Sequence, residues 1–397
     1  MTVNSRALSL AWGLAFMGLV YSELNTPPTQ NSLTALLDAL TIDGPAAGMG
    51  LLTGATVTHM LKNWEDPAVA RHRVLVFSGF LMISGMVLAS IQSAIYPISF
   101  ILGVVALCSL GFARLNSFTL TCLLAFTTFA SAFVHTVFAI RPPVGGQYPA
   151  LAWLAYGICG VLLFRVIDNK KVSVSLLFIT GVIVGMVGML TVLPNYLPDL
   201  FGVDPAVSKY YRENPPTTTI RYFSSIANSG GLLNVVGNFA AGTNLLTLGY
   251  LLQRFRFFEP VVASGRMSFS TYPFYIIIAA ITMGGFSGFA EEINTAIDNP
   301  NTTVAHHKAL DWQTFDSWVE NSNSWADLSS HEIAYYGPDS ESLINETKTK
   351  QIEPTSFLMA YPVAIIGNLV VSTLWMRFFS DGLIELLLFR RQRREGV

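Results

Sequence analysis

Charge is what this chain has least of. Only 12% of its 397 residues are Asp, Glu, Lys or Arg, while 52% are hydrophobic. Soluble domains carry about 25% charged residues, so this composition excludes an ordinary water-facing globule and reads as an all-α, polytopic membrane protein. The net charge of −2 supplies no electrostatic footprint for nucleic acid, which is excluded as a partner. Cysteine is equally sparse. Cys108, Cys122 and Cys159 all fall in apolar runs without disulfide or metal-site spacing, and they read as small hydrophobes. A Walker loop, a zinc-binding His-Glu pair, a Cys-x-x-Cys motif and a nucleophile elbow are all missing. Any chemistry must therefore come from scattered side chains, and no metal is expected. The first apolar run begins near Ala7 without a clear small-residue cleavage site, so it reads as a retained span rather than a signal peptide.

Long apolar runs are what the chain does have. A window of about 20 apolar residues marks a membrane span. Ten such intervals occur, roughly 6–23, 45–62, 74–92, 96–113, 118–140, 148–166, 172–193, 231–252, 266–288 and 355–379. With alternating connections, 16 of the 23 basic residues fall on one side, including Lys62, Arg71, Arg73, Arg114, Arg165, Lys170, Arg254 and Arg256. The positive-inside rule then puts both termini in the cytoplasm, which an even number of spans also requires. The expected organisation is a nine-helix membrane core (1–288), a long extracytoplasmic loop (289–354), a tenth transmembrane helix (355–380) and a basic cytoplasmic tail (381–397). The tail is apolar and then arginine-rich, which suits the anionic inner leaflet. The long loop holds 12 of the 25 acidic residues. Trp312, Phe315 and Trp318 form a stripe there that suits the membrane interface, packing on neighbouring loops, or stacking on a sugar. Through this loop the chain is also expected to meet a membrane-protein partner.

Polar residues inside apolar runs are the natural site candidates, because an unpartnered amide or charge is costly in hydrocarbon. Asn228-Ser229-Gly230-Gly231 leads into a run carrying Asn234, Asn238 and Asn244. Asn234 and Asn238 share a helix face with Gly231 and Ala241. That face serves either as interhelical glue beside small residues or as the lining of a ligand site. His135 lies near the outer end of the fifth run, six residues before Arg141. It reads either as a structural histidine or as a general base, with Glu23 at the outer end of the first run as a partner for His135 or Arg141. Arg266 opens the ninth run, either as a topology anchor or as a guanidinium for donor phosphates. Ser268, Thr271 and Tyr272 follow on the same or an adjacent face, with Pro273 bending the helix above them.

Gly265-Arg266-Met267-Ser268-Phe269-Ser270-Thr271-Tyr272 resembles the Gly-Arg-Met-Ala/Ser-Leu-Thr-x-Tyr signature of YeiB-like membrane proteins, relatives of the heparan-α-glucosaminide N-acetyltransferase group. Leu51-Leu52-Thr53-Gly54-Ala55 and the segment from Tyr148-Pro149 through Gly160 resemble two further family segments. Ser229-Gly230, Gly237 and Gly13 fall at family glycine or Ser-Gly positions. The resemblance implies acyl transfer across the bilayer, from cytoplasmic acetyl-CoA or another acyl-CoA to an outward-facing sugar, with a histidine as base or acyl carrier. The departures are specific. Counting back from Gly13, Ser9 stands at the acidic position and Trp12 at the second arginine. Arg6 is two residues nearer Gly13 than the motif asks, and Asn228 replaces the histidine. An asparagine takes up no proton near neutral pH, so Asn228 is no general base.

The expected activity is therefore an integral membrane acyltransferase acting on an envelope glycan or glycolipid. His135 is its expected base and Glu23 orients it. Asn228, Ser229, Asn234, Asn238 and Arg141 bind the acceptor or the oxyanion, and Arg266, Ser268, Thr271 and Tyr272 bind the donor. The alternatives are a catalytically silent relative serving as a binding or assembly subunit of an envelope complex, and a lipid or solute transporter whose asparagine face lines the path.

Overall fold

A computed structural model describes residues 3–24, 44–64, 66–89, 98–138, 149–170, 172–196, 231–282 and 360–379. Among the described residues the chain is helical, without strands. The helices are α1 (Val3–Leu24), α2 (Gly44–Asn63), α3 (Pro67–Ala89), α4 (Ser99–Phe112), α5 (Ser117–Phe138), α6 (Ala150–Asp168), α7 (Val174–Tyr196), α8 (Leu232–Leu252), α9 (Glu259–Arg266), α10 (Ser268–Thr282) and α11 (Ala360–Phe378). Each of the ten apolar intervals carries a helix. Four stretches are long and apolar enough to cross a membrane, in α3, α5, α6 and α8, and shorter apolar stretches lie in α1, α4, α7 and α11. All the helices belong to one compact unit, Met1–Met283 with Ala360–Val397. The acidic segment 289–354 and the tail from 381 lie outside the described residues.

Small residues let the central helices approach closely. A methyl group on Gly54 of α2 would strike the Gly157 carbonyl of α6, and one on Gly160 would strike the Leu51 carbonyl. In α1 and α9, Gly13 lies against the Val261 carbonyl and Gly265 against the Ser9 carbonyl. Where such a bundle is surrounded by lipid, close packing of this kind and hydrogen bonds between helices hold it together. Around these contacts Trp12, Phe16, Leu51, Leu52, Trp153, Tyr156, Phe164 and Ile276 build one continuous core. The outward faces of α3, α5 and α7 are apolar instead, with Ile83, Phe118, Phe126, Phe133, Ile179 and Met186 more than half exposed. That inversion of the soluble pattern is what a hydrocarbon surround favours.

Polar bonds tie one end of the bundle. The Arg165 guanidinium donates to the carbonyl oxygens of Ala113 and Leu115, each at 2.7 Å. It thereby fastens the α4–α5 turn to the C-terminal end of α6 and satisfies carbonyls that a helix end leaves free. Lys62 pairs with Asp168, joining the last turns of α2 and α6. Arg6 pairs with Glu259 at 2.8 Å, joining the first turns of α1 and α9. Arg73 lies over the Trp64 ring, 3.9 Å from its centre.

The Gly265-Arg266-Met267-Ser268 segment, expected to begin the ninth span, holds a break between two helices. Gly265 and Arg266 close the short helix α9. Met267 leaves helical geometry at φ −106° and ψ 8°, and its N–H bonds back to the carbonyls of Ala263 and Ser264. A new helix starts at Ser268, where the Met267 carbonyl accepts the N–H groups of Ser270 and Thr271. Arg266 is thus a last-turn cation, where a helix dipole favours positive charge. Pro273 lies inside α10 as expected.

Candidate functional site

A cavity forms between α10 and helices α1, α2, α3 and α4. Trp12, Met49, Phe80, Leu81, Ser84, Ile98, Ser99, Leu102, Ser268, Phe269, Tyr272 and Pro273 line it. Its volume is about 20 Å³, room for about one water molecule. Of the expected donor residues, Ser268 and Tyr272 line this cavity. Ser268 is buried and donates from its hydroxyl to the Gly265 carbonyl at 3.1 Å. The Tyr272 hydroxyl accepts the Ile98 N–H at 2.9 Å, which holds the start of α4 against α10. Thr271 does not line the cavity, and its hydroxyl bonds to the Met267 carbonyl at 3.0 Å. Arg266 is half-buried at the end of α9, two residues before the cavity-lining Ser268.

Trp12 forms one wall. Its indole N–H donates to the Thr56 hydroxyl at 3.0 Å, and its ring meets Phe269 edge-on, with centres 4.9 Å apart. Phe269 meets Phe77 in the same manner at 4.6 Å. Ser9, at the family's acidic position, turns its hydroxyl back to the Ser5 carbonyl of its own helix at 2.9 Å. Where the resemblance places a carboxylate and a guanidinium, this chain has a self-satisfied serine and an edge-to-face aromatic cluster.

The amide face of α8 is buried as its polarity demands. Asn234 and Asn238 are each 8% exposed, and Asn238 donates to the Tyr156 hydroxyl of α6 at 3.0 Å. Asn244 approaches Gly181 of α7 on another side. A second polar link runs between α9 and α11, where the Asn368 amide donates to the Ser264 hydroxyl at 2.6 Å and the Ser372 hydroxyl donates to Asn368 at 3.2 Å.

Arg141, Asn228 and Ser229 lie outside the described residues. Glu23 and His135 fall in the last turns of α1 and α5, but their side chains lie outside what the structure describes. Among the described residues, no group of three His, Cys, Asp or Glu side chains is placed to hold a metal ion. Tyr156, Ser84, Ser99, Ser264 and Asn368 were not singled out from sequence. The signal that could have found Asn368 is a lone amide in an apolar run, and for Ser99 a serine at a helix start two residues after Pro97.

Comparison with protein-family models, with curated proteins and with solved structures finds no match.

Proposed function

We propose that this chain is a ten-span membrane protein with both termini in the cytoplasm, and that it transfers an acyl group from a cytoplasmic acyl-CoA to an extracytoplasmic envelope glycan or glycolipid. The observation that carries the reading is that Ser268 and Tyr272, both from the segment 265–272, line one cavity, Ser268 two residues after Arg266. In this reading Arg266 holds donor phosphates by paired, charge-assisted hydrogen bonds. The nucleotide and phosphates lie outside the cavity, since a water-sized space admits at most the tip of an acyl group. Asn234 and Asn238 hold the acceptor side, and His135 takes the proton of the attacking hydroxyl or amine. The topology draws support from the described Lys and Arg residues, which all fall at the ends of helices that the alternating arrangement puts on the cytoplasmic side.

One observation favours a second reading, a catalytically silent subunit of an envelope complex. It is the replacement of the family's charged positions by Ser9 bonded to its own helix and Trp12 packed edge-on against Phe269.

Purified protein in nanodiscs, given radiolabelled acetyl-CoA and total envelope lipid and glycan, separates the two. Transfer of label to a product, lost in both His135→Ala and Arg266→Ala, supports the transferase with these roles. Transfer that survives His135→Ala keeps the enzyme and removes the base. Absence of both transfer and coenzyme A binding leaves the silent subunit.

A further inference from the structure

α8 has 21 residues, which at about 1.5 Å each match the hydrocarbon core of a bilayer, about 30 Å thick. A span of that length carries its last residue, Leu252, to the level of the lipid headgroups. There the chain turns through Arg254-Phe255-Arg256-Phe257-Phe258 before α9 begins at Glu259. The turn is held by its own backbone. The Phe255 N–H bonds to the Leu252 carbonyl at 3.0 Å, and the Phe258 N–H bonds to the Phe255 carbonyl at 3.3 Å. This geometry turns Arg254 and Arg256 outward, together with Phe255 at 58% and Phe257 at 86% exposure. α11 ends in the same way, with Arg377, Phe378 and Phe379 all exposed.

The fold satisfies neither half of this surface. Carboxylates at the helix ends are already engaged, Glu259 with Arg6, Asp168 with Lys62, and Asp66 with the Ala68 N–H at 2.7 Å. Among the described residues, Arg254, Arg256 and Arg377 pair with no carboxylate. The rings are the opposite problem, since a phenyl group left in water forfeits the gain of burial. Guanidinium and ring alternating along one tight turn suit a boundary, with phosphate oxygens on one side and hydrocarbon on the other. Anionic lipids supply both, and they complement a surface whose charge is wholly positive.

We propose that the 254–258 turn, with the end of α11, binds the headgroups of anionic glycerophospholipids in the adjoining leaflet. Arg254, Arg256 and Arg377 meet phosphodiester oxygens, while Phe255, Phe257 and Phe378 sink among the glycerol esters and first methylenes. The site rests on the membrane-spanning reading and on the alternating topology, which puts both helix ends in one leaflet. It stands whether or not the chain transfers acyl groups.

Alkaline washing of membranes comes first, because a chain that washes off refutes the spans and the site with them. The full chain in an uncharged detergent is then titrated with phosphatidylglycerol and, separately, with phosphatidylcholine. Native mass spectrometry counts the bound lipid. Wild type should prefer phosphatidylglycerol. That preference should fall about fivefold for each arginine removed, in Arg254→Gln and again in Arg254→Gln/Arg256→Gln. Arg254→Lys/Arg256→Lys should keep most of it. Phe257→Ser should weaken both lipids alike, by about tenfold, because the ring contributes burial and no charge. Arg71→Gln removes an exposed cation that has no ring beside it in sequence, and it should leave the preference unchanged. The altered side chains are exposed, so unfolding temperatures should match wild type. Equal preference in wild type and Arg254→Gln/Arg256→Gln overturns the proposal, as does an equal loss in Arg71→Gln. No preference for phosphatidylglycerol in wild type also overturns it, and leaves the turn as a surface for a soluble partner.

Discussion

Gly265 of α9 rests directly on the carbonyl oxygen of Ser9 in α1, so closely that a single added methyl group would collide with the backbone. Gly13 meets the Val261 carbonyl in the same crossing. Two glycines that carry the family resemblance thus have a packing role that needs no ligand. Gly265→Ala should destabilise the bundle by about 1–3 kcal/mol through overpacking, because the obstructing atom is backbone. Gly237 of α8 has nothing within 4 Å of an added Cβ. Gly237→Ala should therefore hold or raise stability by up to about 1 kcal/mol. Thermal unfolding in detergent, followed by size-exclusion chromatography, compares them. Equal unfolding temperatures would show that the α1–α9 crossing is looser than described.

Arg165 should resist replacement by lysine. Its two parallel bonds to Ala113 and Leu115 depend on a planar fork that an ammonium group lacks. Hydrogen bonds to a charged group are worth about 1.5–3 kcal/mol, and Arg165→Lys should lose a good part of that at the α4–α5 turn. Hydrogen–deuterium exchange should rise for residues 112–117 while α8 stays protected. Uniformly unchanged exchange would contradict the role of the fork.

The helical positions were legible from sequence because each long apolar run leaves few alternatives to a helix. The break at Met267 was not legible. Glycine is a poor helix former and serine favours helix starts, so the composition of Gly-Arg-Met-Ser allows a break without placing it at Met267. The amide face was legible in part. Spacing put Asn234 and Asn238 on one face, and both are buried, but Tyr156 as partner of Asn238 required knowing that α6 neighbours α8.

The Asn238–Tyr156 bond separates glue from lining. Coupling across a hydrogen bond between membrane helices averages about 0.6 kcal/mol. A double-mutant cycle with Asn238→Leu and Tyr156→Phe should return a value of that order. If the bond is glue, the proposed acyl transfer should fall only as far as stability does in each variant. Should Asn238→Leu remain folded and lose transfer, Asn238 belongs to the acceptor site. A coupling near zero would mean that the 3.0 Å contact contributes nothing measurable.

Trp12 offers the sharpest test of the resemblance itself. It is 4% exposed, bonded to Thr56 and edge-on to Phe269, so Trp12→Arg places a guanidinium among aromatic rings. An uncompensated buried charge costs about 3–5 kcal/mol, and this variant should express poorly and unfold early. The family pattern places an acid three residues earlier, at Ser9, on the same helix face. If the register read from Gly13 is right, Ser9→Asp should supply the missing counter-charge. The double variant Ser9→Asp/Trp12→Arg should then recover part of the stability lost by Trp12→Arg alone, although Ser9→Asp by itself destabilises. A double variant no more stable than Trp12→Arg would show that the two positions do not face one another as the motif requires, and the resemblance in the first helix would rest on Gly13 alone.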